Sequence, residues 1–302
     1  MGSTMQHASM RDRWPRLAAT LLVVAALAAA TPSFAQRIFP TPEAAVDALV
    51  DGLARHDNDE VHAVLGPDFR RLMPLDAASE GDRTDFLAAW SQGHRIEREG
   101  ADARLFLSDG WSLPIPIVRN GEGWTFDAHA GLGEMRIRRI GRNELAAINA
   151  MYAYFDAQRE YAEQDRNGDG ILEYARRFLS SPGKHDGLYW DTSEGELSSP
   201  AGPLFDTAGI KDGYYGYRFK ILEAQGAAAR GGARSYLARG HLANGFALVG
   251  WPARYGETGV MSFLVNHDGI VYQKDLGANS AAIASAMTRF NPDPTWVALP
   301  PP

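Results

Sequence analysis

The chain has 302 residues, 45% of them hydrophobic and 22% charged, with a formal charge of −7 and no cysteine. Length and balance of this kind suit a globular protein of two ordinary-sized domains. They exclude thiol chemistry and disulfide bracing, and the acidic excess removes any electrostatic reason to hold nucleic acid or an anionic membrane surface.

The first element is a leader. Arg11, Arg13 and Arg16 precede an apolar run over residues 17–30, and Ser33-Phe34-Ala35 follows as a small-x-small site. The run of about 14 residues is shorter than the ~20 needed to span a bilayer. Residues 1–35 are therefore expected to be a signal peptide that is removed, with Gln36 as the new terminus. Loss of three Arg and one Asp (Asp12) takes the formal charge from −7 to −9. The expected address is periplasmic or secreted, with no stable membrane insertion after cleavage.

Thr41-Pro42-Glu43 predicts a helix start, an N-cap followed by proline in the first turn. Val46, Leu49, Val50 and Leu53 then fall on one face. A short second helix ends at Gly66-Pro67, and a third starts at Asp82 with Phe86, Leu87 and Trp90. From Ala103 the period becomes that of strands: "ARLFLS", "WSLPIPIVR" and "GWTFDA", the last two joined at Asn120-Gly121. Pro114 and Pro116 place the middle segment at an edge or in a bulge. Residues 36–142 thus read as a helix-plus-curled-antiparallel-sheet domain, analogous to the cystatin and nuclear-transport-factor folds.

Residues 143–164 carry Leu145, Ile148, Met151, Tyr152 and Phe155 on one face and predict an amphipathic helix. An acidic loop follows, and Tyr174, Phe178 and Leu179 predict a second, shorter helix. After a long Gly/Ser-rich loop come four strands: "YYGYRFKIL", "GFALVGW", "GVMSFLV" and "GIVYQKD". The last two are joined through Asn266 to Gly269. Residues 143–290 form the second α+β domain, and 291–302 an extended tail.

Five of these stretches together resemble a known family: "LPIPIVRNGEGWTFD", "RRIGRNEL", "AQREYAEQDRNGDGILEYA", "GYYGYRFKIL" and "FALVGWPARYGETGVMSFLVNHDGIVYQKDLG". In this order they resemble the secreted bacterial family known as domain of unknown function 2950. That resemblance implies an exported protein without an assigned activity. The second half is also similar to the globular heads of pseudopilins: a long helix, an acidic turn followed by "YA", a "GYRF" strand and a terminal hairpin. A pilin subunit enters the membrane through an apolar stalk. The helix from Asn143 is charged and follows a soluble domain, so the resemblance implies a pilin-type head used as a soluble module.

Two clusters carry candidate chemistry. Asp165-x-Asn167-x-Asp169-Gly170 has oxygen donors at alternate positions, as in the first half of a calcium loop, with the Ile171 carbonyl and Glu173 as further ligands. The twelfth position, where a bidentate Glu belongs, is Arg176. The alternatives are a weak structural calcium site and a helix-ending turn whose side chains bond their own backbone. The second cluster is aromatic: Tyr214, Tyr215 and Tyr217, with Trp251, Arg254 and Tyr255 in "GWPARYG". Exposed rings beside glycines would bind a glycan or peptide, whereas buried rings would be core. The seven histidines beyond the leader show no zinc spacing, and Glu194 with Glu196 sit in a solvated loop. No catalytic residues and no cofactor beyond calcium are indicated. The expected function is a non-catalytic envelope binding or scaffolding module, its partner an envelope protein or glycan. The alternative is a periplasmic hydrolase of cell-envelope material.

Overall fold

The computed structural model describes residues 36–73, 77–191, 198–202 and 213–300. The predicted leader and Glu194 and Glu196 lie outside the described residues. Helices and antiparallel sheets make the protein α+β.

Four helices come first among the described residues: α1 (Pro42–Ala54), α2 (Asn58–Leu65), α3 (Phe69–Leu72) and α4 (Ala77–Gln92). Thr41 caps α1 as the sequence predicts, its hydroxyl accepting from the Ala44 N–H at 3.1 Å. Val46, Leu49 and Leu53 are buried, and Val50 is half-buried. The helix expected at Asp82 begins earlier, at Ala77, and is the fourth rather than the third because Phe69–Leu72 closes a turn of its own.

A four-stranded antiparallel sheet follows in sequential order: β1 (His94–Glu99), β2 (Asp102–Leu107), β3 (Ile117–Asn120) and β4 (Gly123–Phe126). Strand β1, "HRIERE", is unforeseen because charge masks its alternation; it forms an almost wholly exposed edge. Of the two alternatives at Pro114 and Pro116, the edge is corrected, because β3 lies inside the sheet, and the bulge is what forms. Ser112 bridges Phe106 and Ile117 pairs with Ala103, so the chain around the two prolines holds two residues more than the strand opposite, and β3 itself starts after both. One cluster of buried side chains, including Leu49, Val64, Leu65, Leu105, Ile117 and Phe126, fills the space between these helices and the sheet.

Helix α5 (Ala128–Tyr161) is the main departure from the predicted layout. It was expected to begin at Asn143, but Asp127 caps it with a side-chain oxygen 2.9 Å from the Ala130 N–H. At 1.5 Å per residue its 34 residues run about 51 Å. The expected boundary at residue 142 therefore falls inside a continuous helix. Leu132 and Met135 pack on the first core, whereas Met151, Tyr154 and Ala157 belong to a second. Between them Arg138 ties the helix to Glu134 and to the Ser112 carbonyl, which offsets the low helix propensity of Gly133 and Gly141.

The second core lies under a five-stranded antiparallel sheet of β5 (Tyr217–Leu222), β10 (Ala247–Pro252), β11 (Met261–Asn266), β12 (Tyr272–Asp275) and β13 (Val297–Ala298). Their order across the sheet is β13-β12-β11-β10-β5. The four predicted strands are present. The tail, expected to be merely extended, supplies β13 and buries Trp296. Helix α6 (Ser280–Ala286) was not foreseen. Two short hairpins, β6 (Ala224–Gln225) with β7 (Arg234–Ser235) and β8 (Leu237–Ala238) with β9 (His241–Leu242), complete the described residues.

The helix expected after the acidic loop does not form. Tyr174, Phe178 and Leu179 lie in irregular chain, and Leu179 bridges Tyr189. The reason is a fully buried side chain on α5: Gln158 accepts the Ala175 N–H and donates to the Ala175 carbonyl, both at 2.8 Å. Tyr174 meanwhile gives its N–H to Leu242. These bonds take the backbone groups that a helix would need.

Candidate functional site

The acidic loop leaves the end of α5 and folds on itself. Asp165 accepts three backbone N–H groups, from Gly168 at 2.8 Å, Asp169 at 3.2 Å and Gly170 at 2.7 Å. The bond from Gly170, joined by those from Gly168 and Asp169, lowers the Asp165 pKa below the usual carboxylate value. Asn167 Oδ1 accepts from the Asp169 N–H, and Asp169 Oδ1 from the Ile171 N–H. Of the five expected calcium ligands, Asp165 is thus bonded into the turn, and Ile171 joins it through its N–H. Asn167 presents its Nδ2 group to Asp169 at 2.9 Å and to Glu173 at 2.6 Å.

The remaining two carboxylates meet a residue that sequence reasoning missed. His241 Nδ1 lies 3.2 Å from Glu173 Oε2 and 3.5 Å from Asp169 Oδ2. The imidazole arrives on the β8–β9 hairpin, whose two-residue turn places Arg239 and Gly240 at φ of 54° and 91°. Positive φ at both central residues is the type I′ pattern that suits right-twisted strands. Arg176, which stands where a calcium loop needs Glu, pairs with Glu223 and donates to the Gly240 carbonyl at 3.2 Å. It therefore holds the hairpin beside the loop. Tyr161 closes the inner side: burial, followed by the negative field of Glu173 and Asp186, pushes its phenol up to about 12. No local spacing signals this group, because His241 lies 68 residues after Glu173.

The aromatic cluster divides. Tyr217 is fully buried and Trp251 is 7% exposed, so both are core residues and neither ring can face a ligand. Their glycines are close-approach positions. A Cβ at Gly259 would lie 2.1 Å from the Tyr217 hydroxyl, and one at Gly250 would lie 2.6 Å from Met151 Cε. Tyr215 is different. It is 58% exposed at φ 47°, leading the turn in which the Tyr217 N–H bonds the Tyr214 carbonyl. Its ring meets that of Tyr214 edge-on at 4.7 Å. The Ala253 N–H bonds the Gly216 carbonyl, which brings the loop carrying exposed Arg254 and half-buried Tyr255 alongside.

These same motifs decide the family. Residues 36–299 match the family described as Protein of unknown function (DUF2950). The chain belongs to this family. No curated protein and no solved structure matches it. In this DUF2950 chain the two candidate groups stand far apart. The aromatic turn neighbours Asn143, whose Nδ2 donates to the Thr258 carbonyl, whereas the histidine–carboxylate group neighbours Gln158 and Tyr161. Fifteen helical residues, about 22 Å, separate those two levels of α5.

Proposed function

We propose that this DUF2950 chain is an exported envelope protein that binds a partner, a protein or a glycan, without chemically converting it. The observation that carries this reading is Tyr215. A large ring held outward at positive φ costs about 1 kcal/mol in backbone energy, and strained, exposed positions of this kind gather at recognition sites. Arg254 and Tyr255 extend the same surface, a combination of side chains enriched at interaction hot spots. Two folding units sharing α5, the second a pilin-type head, complete the proposal; a long helix laid on an antiparallel sheet supports the second unit. Export is supported by the basic, apolar and small-x-small order of residues 1–35. No described helix is long and apolar enough to cross a membrane.

A second reading, hydrolysis of envelope material, draws on the approach of His241 to Glu173, since an imidazole and a carboxylate can share acid–base work. Co-sedimentation with isolated cell-wall and envelope fractions separates the two. Binding is expected to fall sharply in Tyr215→Ala, with no soluble fragments released. Fragment release that depends on His241 would establish the hydrolase instead, and pelleting unchanged by Tyr215→Ala would remove the aromatic turn from the site. Protein recovered from the periplasmic fraction is expected to have a mass lacking residues 1–35.

A further inference from the structure

We propose that Asp169, Glu173 and His241 form a site for one divalent transition-metal ion of the zinc class, which locks the acidic loop to the β8–β9 hairpin. One donor atom from each residue lies within 4.8 Å of the other two. The two contacts of His241 Nδ1, 3.2 and 3.5 Å, bracket the ligand-to-ligand edge of about 3.3 Å that a tetrahedron with 2.0–2.1 Å bonds requires. Donor chemistry separates this site from a calcium loop. Calcium takes six to eight oxygens in protein sites, whereas an imidazole with two carboxylates suits zinc and its neighbours.

Charge and support agree with this assignment. Glu173 and Asp169 present two carboxylates to one point, and the arginines that flank the loop turn elsewhere. Arg176 is engaged by Glu223 and the Gly240 carbonyl, and Arg166 by the Glu160 carbonyl and the Trp190 ring. Asn167 holds Glu173 through Oε1, the oxygen turned away from His241, and also donates to Asp169 Oδ2, while the Ile171 N–H holds Asp169 Oδ1, as the partners of metal ligands do. Glu173 and His241 retain 14% and 26% side-chain exposure and Asp169 34%, which leaves a route for the ion and for a water as fourth ligand. Arg176 and the bond from Tyr174 to Leu242 hold His241 in place before any ion arrives.

The test is titration of chelator-treated protein with zinc, cobalt(II) and calcium in separate arms. One zinc per chain is expected, together with a raised melting temperature and a visible cobalt band of low-symmetry coordination. His241→Gln and Glu173→Gln should each weaken zinc binding by at least about tenfold and abolish the cobalt band. Their far-UV spectra and zinc-free melting curves show whether they fold, and the near-isosteric Glu173→Gln stands if His241→Gln does not. Failure of the wild-type protein to bind zinc would overturn the proposal and leave a histidine–carboxylate ion pair. Zinc binding unchanged in both variants would overturn it as well. So would calcium binding that survives His241→Gln, which would assign the loop to an oxygen-only site.

Discussion

His267 is half enclosed beside Tyr236 and Phe246, with Arg234 donating toward its Nε2 at 2.7 Å. Burial lowers its pKa below the ordinary 6.5; Asp268 opposes the shift, and the Arg234 charge adds to it. Below 6.5 the unfolded chain therefore takes up a proton that the folded protein resists. Stability should be full above that value and decline as the pH falls through the folded-state pKa. Denaturant titrations between pH 7 and 4 should show this decline flattened in His267→Asn, and identical profiles would refute it. Trp251 and Tyr215 make the other contrast at this scale. Trp251→Ala should cost about 3–5 kcal/mol, because it empties a core position. Tyr215→Gly should change stability by less than about 1 kcal/mol, since relief at positive φ offsets the lost ring contact. Thermal melts of the two variants check both values. The sequence marked these aromatics as one group, because glycine-flanked rings read alike whether they are buried or exposed. The pairing of Trp251 with Arg218 and of Pro252 with Tyr217 sends the two rings to opposite faces of the sheet, and tertiary packing buries both.

Among the elements, α1, the β3–β4 hairpin and the β11–β12 hairpin could be read directly from capping residues and apolar period. Helix α5 could not. Its first half, "AHAGLGEMRIRRIGR", contains three glycines and little apolar stripe, so its helicity comes from the Asp127 cap and from docking. That origin predicts where the helix can be improved. No atom lies within 4 Å of a Cβ placed at Gly133 or Gly141, so alanine at either should stabilise by about 0.5–1 kcal/mol. Gly131 differs, with Ile115 Cγ1 already 3.0 Å from such a Cβ. Gly259→Ala should destabilise by about 1–3 kcal/mol, because the buried Tyr217 cannot yield. Urea titrations of the four alanine variants would reveal this order, and a loss of stability at Gly141→Ala would contradict it.

At the scale of the whole molecule, α5 carries side chains of both cores and is clamped at mid-length. Arg139 reaches Glu257 at 3.2 Å, and Glu144 accepts the N–H groups of Val260 and Met261. Unfolding of the two halves should accordingly be coupled. Tryptophan fluorescence and far-UV circular dichroism are expected to trace one coincident urea transition. Gly141→Pro, which breaks the helix at a cost of about 3 kcal/mol, should separate the transition into two. Two transitions in the unaltered protein would show that the halves fold independently despite the shared helix.

What the sequence determined by itself was local or shared with relatives: family membership, the antiparallel hairpins, the capped first helix and the turn-forming character of Asp165. These rest on hydrogen bonds and periodicities that close within a few residues. The tertiary structure decided the rest. It carried α5 through the expected boundary, made β13 from the tail, and used Gln158 to replace the second helix with irregular chain. It also set His241 against Glu173 across 68 residues. Such meetings depend on how a hairpin docks against a loop, and docking follows from core packing and long-range backbone pairing that no short spacing encodes.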